Sequence, residues 1–137
     1  MPITAIYAAL LAALFLLLSA RTIARRGAAQ VEIGTATRDG TDDRELLRRV
    51  RVHANFVEYA PMALVLLGLG ESRKATPLAL HALGTTLLIG RLLHAHGLSQ
   101  SPHNMPMRVT GMVLTLTMIA LSAGLCLWLS APLALRF

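Results

Sequence analysis

The sequence predicts an all-α integral membrane protein, a bundle of four membrane-spanning helices forming one domain over residues 1–137. Composition is the first observation behind this prediction: hydrophobic residues make up 55% of the chain, charged residues only 15%, and the mean hydropathy is +0.59. Ordinary soluble domains are less apolar than this. The second observation is that apolar runs recur at lengths that can cross a hydrocarbon core of about 30 Å. The third is that the connections between these runs are too short for a soluble domain.

The first, third and fourth spans are visible directly as apolar runs at residues 3–20, 77–93 and 109–129. The second run, residues 56–69, is short by itself. It reaches spanning length if its polar start, from about Leu46, belongs to the same helix. Because carboxylates cap helix starts, we expect this helix to begin near Asp42.

Three connections join the spans. Residues 21–45 are the polar part of the chain and are expected to form an irregular loop, residues 70–74 a short turn, and residues 97–106 a second loop. No basic residues precede the first apolar run, which favours a retained helix over a cleaved signal peptide. Cys126 is the only cysteine, so we expect no intrachain disulfide.

The basic residues are distributed unevenly along the chain. Eight of the thirteen lie between residues 21 and 51, whereas the opposite side has only Arg73, Lys74 and Arg136. The positive-inside rule therefore places both termini outside the cytoplasm. Most of these arginines are expected to contact membrane lipids. The net charge of +6 does not indicate a nucleic-acid partner, because aromatic residues are only 4% of the chain and offer few surfaces for stacking bases.

The start of the second span carries the most informative residues. On a helix, Arg51, Asn55 and Glu58 share one face, with Tyr59 at its edge, while His53 points roughly the other way. Ionisable groups are costly in a bilayer and usually face a site or a partner. The sequence therefore predicts a prepared polar site here. The alternatives are that Arg51 and Glu58 only neutralise each other and that Tyr59 is an ordinary interfacial aromatic.

A second polar cluster lies at the end of the third span. Arg91 and His94 are three residues apart and share a helix face, with His96 roughly opposite. The two clusters enter from the same side and are expected to meet at similar depth. Their cations, amide and carboxylate suit a small zwitterionic peptide better than a hydrocarbon, although His94 could also be an interfacial histidine. The histidines lack the spacing and partners of a metal site, so we expect no metal.

Both clusters resemble the motifs of a known family. The stretch Arg51-x-His53-x-Asn55-x-x-Glu58-Tyr59-x-Pro61 resembles the helix-two signature of the membrane-associated proteins in eicosanoid and glutathione metabolism (MAPEG). Gly90-Arg91-x-x-His94 resembles their helix-three motif. The four-span plan covers essentially the whole chain and is closest in style to the small bacterial members. The resemblance implies a homotrimer of four-helix subunits with glutathione bound between neighbouring subunits.

The same resemblance implies the residues of the site. Glutathione would be contacted by Arg51, Asn55, Glu58, Tyr59, Arg91 and His94. In relatives a thiolate-stabilising arginine lies near the start of helix four; Arg108 is the candidate here, and Asn104 competes for the position. Several relatives have a tyrosine seven residues after the helix-three arginine, where this chain has Leu98.

The resulting hypothesis is a glutathione transferase or peroxidase of the bacterial inner membrane. A nearby cation lowers the pKa of a thiol, so Arg108 would favour the thiolate of glutathione. The thiolate would then attack a lipophilic electrophile dissolved in the bilayer. One alternative is a small proton-coupled multidrug transporter that uses Glu58, although such exporters usually carry that glutamate in their first span. Another is a non-enzymatic membrane adaptor, since the family also contains proteins that act through partners.

Overall fold

The computed structural model describes residues 1–134, and the side chains of residues 1–131. Within that part of the chain it has four helices: α1 (Pro2–Ala29), α2 (Arg44–Ser72), α3 (Pro77–Ser99) and α4 (Met105–Ala134). All four contain windows long and apolar enough to cross a membrane. The prediction of an all-α bundle with four spans is therefore confirmed. Arg136, which entered the topology argument, lies outside the described residues.

The helices extend beyond the apolar runs that predicted them. The expectation of an irregular loop over residues 21–45 is wrong for its first part, because α1 continues to Ala29. Arginine and alanine are strong helix formers, and one glycine at position 27 costs only about 1 kcal/mol. The expected turn at residues 70–74 is likewise shorter, since α2 ends at Ser72, and the last connection is only residues 100–104.

The remaining part of the first connection is an ordered loop. Ala36 and Asp42 form an isolated antiparallel bridge, and the loop turns between them. At the turn, the carboxylate of Asp39 accepts hydrogen bonds from the hydroxyl groups of Thr37 and Thr41. These bonds, that of Thr37 first, lower the pKa of Asp39 to about 2. Local side-chain bonds therefore hold this loop in one shape.

Asp43 is the N-cap residue of α2, which begins at Arg44, two residues after the predicted start near Asp42. Its carboxylate accepts a hydrogen bond of 2.9 Å from the backbone N–H of Leu46, as N-cap residues do. The guanidinium of Arg25 on α1 lies 2.6 Å from the same carboxylate. The bond from Leu46, followed by the bond from Arg25, lowers the pKa of Asp43. One carboxylate thus caps α2 and joins it to the helical extension of α1.

The centre of the bundle is the pair α2 and α3. α1 packs against both helices on one side, and α4 packs against both on the other. In the described residues, α1 and α4 do not approach each other. The core is apolar and contains fully buried side chains such as Leu11, Leu67, Leu87 and Met118. Large apolar side chains also cover the outside, as a surface facing lipid requires.

Polar contacts close the end of the bundle that holds the N-terminus. The Glu71 carboxylate accepts from the backbone N–H groups of Ile3 and Thr4, at 3.0 and 2.8 Å, and so α2 caps the start of α1. The buried Tyr7 hydroxyl donates to the His81 carbonyl oxygen at 3.0 Å. Its contact with the His81 ring nitrogen, at 3.1 Å, gives that histidine a structural partner.

Glycines bring α3 and α4 into backbone contact at the opposite end, which we call the arginine-rich end because it carries the first and third connections. A methyl group added to Gly97 would lie 2.7 Å from the backbone nitrogen of Arg108. One added to Gly90 would lie 3.0 Å from the carbonyl oxygen of Gly111. Neither glycine therefore accepts a side chain without a shift of α4.

Candidate functional site

A cleft of about 660 Å³ lies at the arginine-rich end of the bundle. Its walls come from the first turns of α2, the end of α3, the last connection and the first turn of α4. It is lined by Arg44, Leu47, Arg48, Arg51, Ala54, Asn55, Glu58, His94, Leu98, His103 and Arg108. The structure therefore brings both polar clusters and the start of helix four to one place.

The α2 wall has the helical periodicity that the sequence indicated. Arg51, Asn55 and Glu58 all line the cleft. Among the side chains that the structure describes, neither Arg51 nor Glu58 has an ion-pair partner. The alternative in which these two residues neutralise each other is not what the structure shows. Their charges remain available to a ligand.

Arg91 lies behind this wall and is fully buried, with 0% of its surface exposed. Its Nη2 donates a hydrogen bond of 2.7 Å to the Asn55 Oδ1, which joins the two clusters. Within the described part of the chain, its Nε and Nη1 are buried without a hydrogen-bond partner. Burying such donors is costly, and an arginine in this state is a strong attractor for an anion.

Two aromatic rings flank the Arg91 guanidinium. Its central carbon lies 5.8 Å from the ring centroid of Phe56 and 5.9 Å from that of Tyr59. Both distances are within the range of cation–π attraction, which offsets part of the cost of burial. Tyr59 is therefore placed beside Arg91 and not on the cleft wall, unlike the other predicted residues of α2.

His94 and Arg108 join α3 to α4 at the far wall of the cleft. His94 is 4% exposed, and its Nδ1 lies 3.0 Å from the backbone carbonyl oxygen of Arg108. The Arg108 side chain lines the cleft. Asn104, the competing position, instead accepts a hydrogen bond of 3.1 Å from the Met107 backbone N–H and so caps α4. Of the two residues, Arg108 lines the cleft and Asn104 does not.

Three basic residues of the cleft were missed from the sequence. Arg44 and Arg48 extend the α2 stripe by two turns toward the helix start, so their spacing from Arg51 was the available signal. Arg48 pairs with Glu45 at 2.7 Å, whereas Arg44 has no ion pair among the described side chains. His103 lies in the last connection, where its position depends on loop geometry that periodicity does not reveal.

The remaining histidines contact other groups. His53 Nε2 lies 2.9 Å from the Ser19 hydroxyl on α1, so it points away from the cleft as expected. His96 contacts Gln100 at 2.8 Å, one helical turn away. In the described residues, no group of three or more histidine, cysteine, aspartate or glutamate side chains has the arrangement of a metal site.

A second, apolar groove lies between α1 and α2. It encloses about 290 Å³ and is lined by Ala8, Leu11, Ala12, Phe15, Phe56, Val57, Ala60, Pro61 and Leu64. Phe56 contributes to this groove and also contacts the Arg91 guanidinium. One aromatic ring therefore separates an apolar surface from the buried cation behind the polar cleft.

Comparison with known proteins agrees with this architecture. A model of the MAPEG family matches residues 4–128 of the chain. The chain is 37% identical over 95 residues to the inner membrane protein YecN of Escherichia coli strain K12, a match that covers 69% of each protein. The protein of the same name from Escherichia coli O6:H1 matches with the same identity and coverage. These matches span the segment that contains both polar clusters.

Proposed function

Because the chain belongs to the MAPEG family, we propose that it is a glutathione-binding protein of the bacterial inner membrane. Its activity would be that of a glutathione transferase or peroxidase acting on lipophilic electrophiles. The membrane part of this proposal rests on four helices of spanning length and on a relative named as an inner membrane protein. The glutathione part rests on the charges of the cleft.

The observation that carries the proposal is a set of polar groups in one cleft, of which Arg51 and Glu58 have no ion-pair partner among the described side chains. Arg51 offers a cation for a carboxylate, and Glu58 offers an anion for an ammonium. The Asn55 Oδ1 accepts a hydrogen bond from Arg91. The NH₂ group of Asn55 is therefore left to donate to a peptide carbonyl. Glutathione carries two carboxylates, an ammonium and two peptide groups. The cleft therefore offers a group of opposite charge for a carboxylate and for the ammonium.

The buried Arg91 supports the same ligand. Two of its donor atoms lack partners within the described residues, and the guanidinium lies one hydrogen bond behind the cleft wall. A positive charge in this position favours an anion in the cleft even without direct contact, because a low-dielectric surrounding screens it weakly. Arg91 and Tyr59 would therefore support glutathione from behind Asn55, with Arg51, Glu58 and His94 in the cleft itself.

Arg108 is the proposed thiolate-stabilising residue. Arg108 lines the cleft from α4, whereas Arg51, Asn55 and Glu58 line it from α2, so Arg108 would approach a different part of the ligand. A fixed cation lowers the pKa of a nearby thiol and raises the fraction of reactive thiolate. Holding the thiolate at the membrane boundary would bring it together with an electrophile from the lipid phase.

The electrophile would come from the bilayer. The groove between α1 and α2 is lined only by apolar side chains, and Phe56 links it to the site. Such a surface can hold a lipophilic substrate, while the polar cleft holds glutathione. The electrophile would enter from the lipid phase, and glutathione would enter from the aqueous phase at the arginine-rich end.

We further propose that three copies assemble and that a neighbouring subunit covers the cleft. Arg51 and Glu58 lie on an exposed face of α2, so a second chain can reach them. The arginine-rich end would face the cytoplasm, with both termini on the other side. Reporter fusions at Gly40 and at Phe137 should then report opposite sides of the membrane. A cytoplasmic signal from Phe137 would reject this orientation.

Calorimetric titration of the purified protein with glutathione tests the proposal. Arg51→Ala, Asn55→Ala and Glu58→Ala should each weaken binding about 10- to 100-fold, because a hydrogen bond to a charged group contributes about 1.5–3 kcal/mol. Arg38→Ala is the matched control, since it removes an arginine from the exposed loop outside the cleft. Equal affinity in all four variants would reject the site.

The same measurement distinguishes the alternatives. If glutathione gives no heat but a cationic drug binds and releases protons through Glu58, the chain is a proton-coupled transporter. If glutathione binds without any thiolate being formed, the non-enzymatic adaptor is favoured over the enzyme. Glu58 is the residue that the transporter alternative requires, so Glu58→Gln should abolish proton release in that case.

A further inference from the structure

The hydrogen bond between His94 and Arg108 fixes the chemistry of the imidazole. A carbonyl oxygen only accepts hydrogen bonds, so His94 Nδ1, 3.0 Å from the Arg108 carbonyl, must carry the hydrogen. In the neutral ring the other nitrogen, Nε2, is then a bare acceptor. The backbone of α4 therefore selects the form of His94 that can receive a proton at Nε2.

Nε2 is the nitrogen that opens to the cleft. His94 lines the cleft although only 4% of its surface is exposed. In the described part of the chain, the only enclosed side-chain nitrogen or oxygen atoms without a partner belong to Arg91. Nε2 has no hydrogen bond among the described residues and is not one of these enclosed atoms, so we infer that it is the atom through which His94 meets the cleft.

The position of the imidazole is held by close packing. A side chain at Gly97 would collide with the Arg108 backbone nitrogen at 2.7 Å, and one at Gly111 would collide with the backbone of His94. These two glycines let α3 and the first two turns of α4 meet backbone to backbone. A base that is oriented by a third group and held by packing has the arrangement found at activated nucleophiles.

We propose that His94 is the general base that takes the proton of the glutathione thiol. This inference rests on the proposed function, because it requires glutathione in the cleft. The sulfur–hydrogen bond breaks, its electron pair stays on sulfur, and the proton forms a new bond to Nε2. The product is a thiolate beside an imidazolium, so no proton leaves the complex. Arg108 and His94 then have separate roles: Arg108 stabilises the thiolate, and His94 holds the proton.

The charges around His94 determine how the ion pair is stabilised. Arg91 on α3 and Arg108 on α4 are cations near the ring, and Arg51, Glu58 and His103 line the same cleft from α2 and the last connection. The cations alone oppose an imidazolium. The thiolate formed beside it offsets that repulsion, because an adjacent opposite charge favours the charged form. Proton transfer is therefore linked to glutathione binding.

Counting protons tests this base directly. Glutathione is titrated into the full-length protein in lipid nanodiscs, using buffers of different ionisation enthalpy, while thiolate absorbance is recorded. The parent should form thiolate and release far less than one proton per thiolate to the buffer. His94→Asn keeps a donor for the Arg108 carbonyl but lacks Nε2. It should release a full proton for each thiolate, or form no thiolate and conjugate about 10²–10⁴-fold more slowly.

A second His94 variant and a control histidine variant make the proton count interpretable. His94→Gln is the second test if His94→Asn does not fold, and His96→Asn is the matched control that should retain the proton like the parent, because His96 contacts Gln100 and does not line the cleft. Full proton release by the parent, or proton retention by a folded His94 variant, would overturn the assignment of His94 as the base. Either result would leave the proposal of glutathione binding standing. An absence of any glutathione binding by the parent overturns the proposed function itself, and the base with it.

Discussion

Asn55 on α2 and Arg91 on α3 are joined by a hydrogen bond of 2.7 Å between Oδ1 and Nη2. This bond orients the amide before any ligand arrives, so that its NH₂ group is the part left for the cleft. It also fixes the guanidinium between the rings of Phe56 and Tyr59. A site whose side chains are already ordered loses less conformational entropy when it binds a ligand. We therefore expect the buried charge to serve ligand binding and not stability.

Arg91→Met should separate stability from binding. Replacing a poorly paired buried charge by an apolar side chain of similar length is often neutral or stabilising. We expect the unliganded variant to unfold at the same temperature as the parent, or higher. Its affinity for glutathione should fall about 10- to 100-fold, in line with the loss of about 1.5–3 kcal/mol. Thermal unfolding with and without glutathione measures both effects.

Leu87→Met is the matched control for that substitution, because Leu87 is fully buried on the same helix, one turn away from Arg91. It should leave the stabilisation by glutathione unchanged. If Arg91→Met binds glutathione like the parent, or loses much of its stability without ligand, then Arg91 is a structural residue and its buried charge does not serve ligand binding.

The sequence predicted the part of this site that follows helical periodicity. Arg51, Asn55 and Glu58 line one cleft because residues three and four apart share a helix face. The meeting of this face with Arg91 was also predicted, from the shared end of the two spans, and the bond to Asn55 confirms it. How deeply Arg91 is buried was not predictable, because depth depends on packing between helices.

What the sequence left unpredicted lies mainly at helix ends and in connections. α1 runs through Ala29 because helix propensity, and not apolar character, decides where a helix leaving the membrane ends. His103 reaches the cleft through the fold of the last connection. That Arg108 lines the cleft while Asn104 caps α4 through a bond from Met107 was likewise not predictable. Such bonds depend on the conformation of a few residues and have no repeating pattern.

The cap formed by Asp43 should make the α1–α2 connection sensitive to acid. Its pKa is lower in the folded protein because of the bond from Leu46 and then the contact with Arg25. A group with a depressed folded pKa adds stability above its unfolded pKa and loses it as the pH falls through the folded value. The parent should therefore lose stability below about pH 4, where carboxylates of ordinary pKa begin to protonate.

Hydrogen exchange at the start of α2, followed as a function of pH, checks this. Asp43→Asn should show faster exchange than the parent at neutral pH and should have a smaller loss of protection in acid. Glu32→Gln is the control, since it removes an acid from the same connection without touching the cap. An identical acid profile for the parent and Asp43→Asn would exclude Asp43 as the sensitive group.

The apolar groove predicts a substitution that affects only one substrate. Ala12 is exposed and lines the groove, so Ala12→Phe should fill space that a lipophilic electrophile would occupy. Losing about 1.4 kcal/mol of contact would raise the KM for the electrophile about tenfold. Glutathione affinity should not change, because the cleft is on the other side of Phe56. Ala13→Phe, on a neighbouring exposed position outside the groove, should change neither constant.

Arg108→Leu should separate glutathione binding from thiolate formation. Arg108 lines the cleft from α4, whereas Arg51, Asn55 and Glu58 line it from α2, so we expect glutathione to keep its contacts with α2 when the Arg108 side chain is removed. Because the cation favours the charged form of a nearby thiol, the variant should raise the pKa of the bound thiol and slow conjugation of a hydrophobic test electrophile. A shift of one pKa unit corresponds to about 1.4 kcal/mol.

Thiolate absorbance of bound glutathione, followed against pH in the parent and in Arg108→Leu, measures that shift. Arg44→Leu is the matched control: it removes another cation of the cleft, at the start of α2, and should leave the thiolate curve nearly unchanged. His94 keeps its hydrogen bond in Arg108→Leu, because its partner is the backbone carbonyl of residue 108 and not the side chain. A thiolate signal that Arg108→Leu does not diminish would therefore exclude the Arg108 side chain as the stabilising group, while leaving the proton acceptor His94 in place.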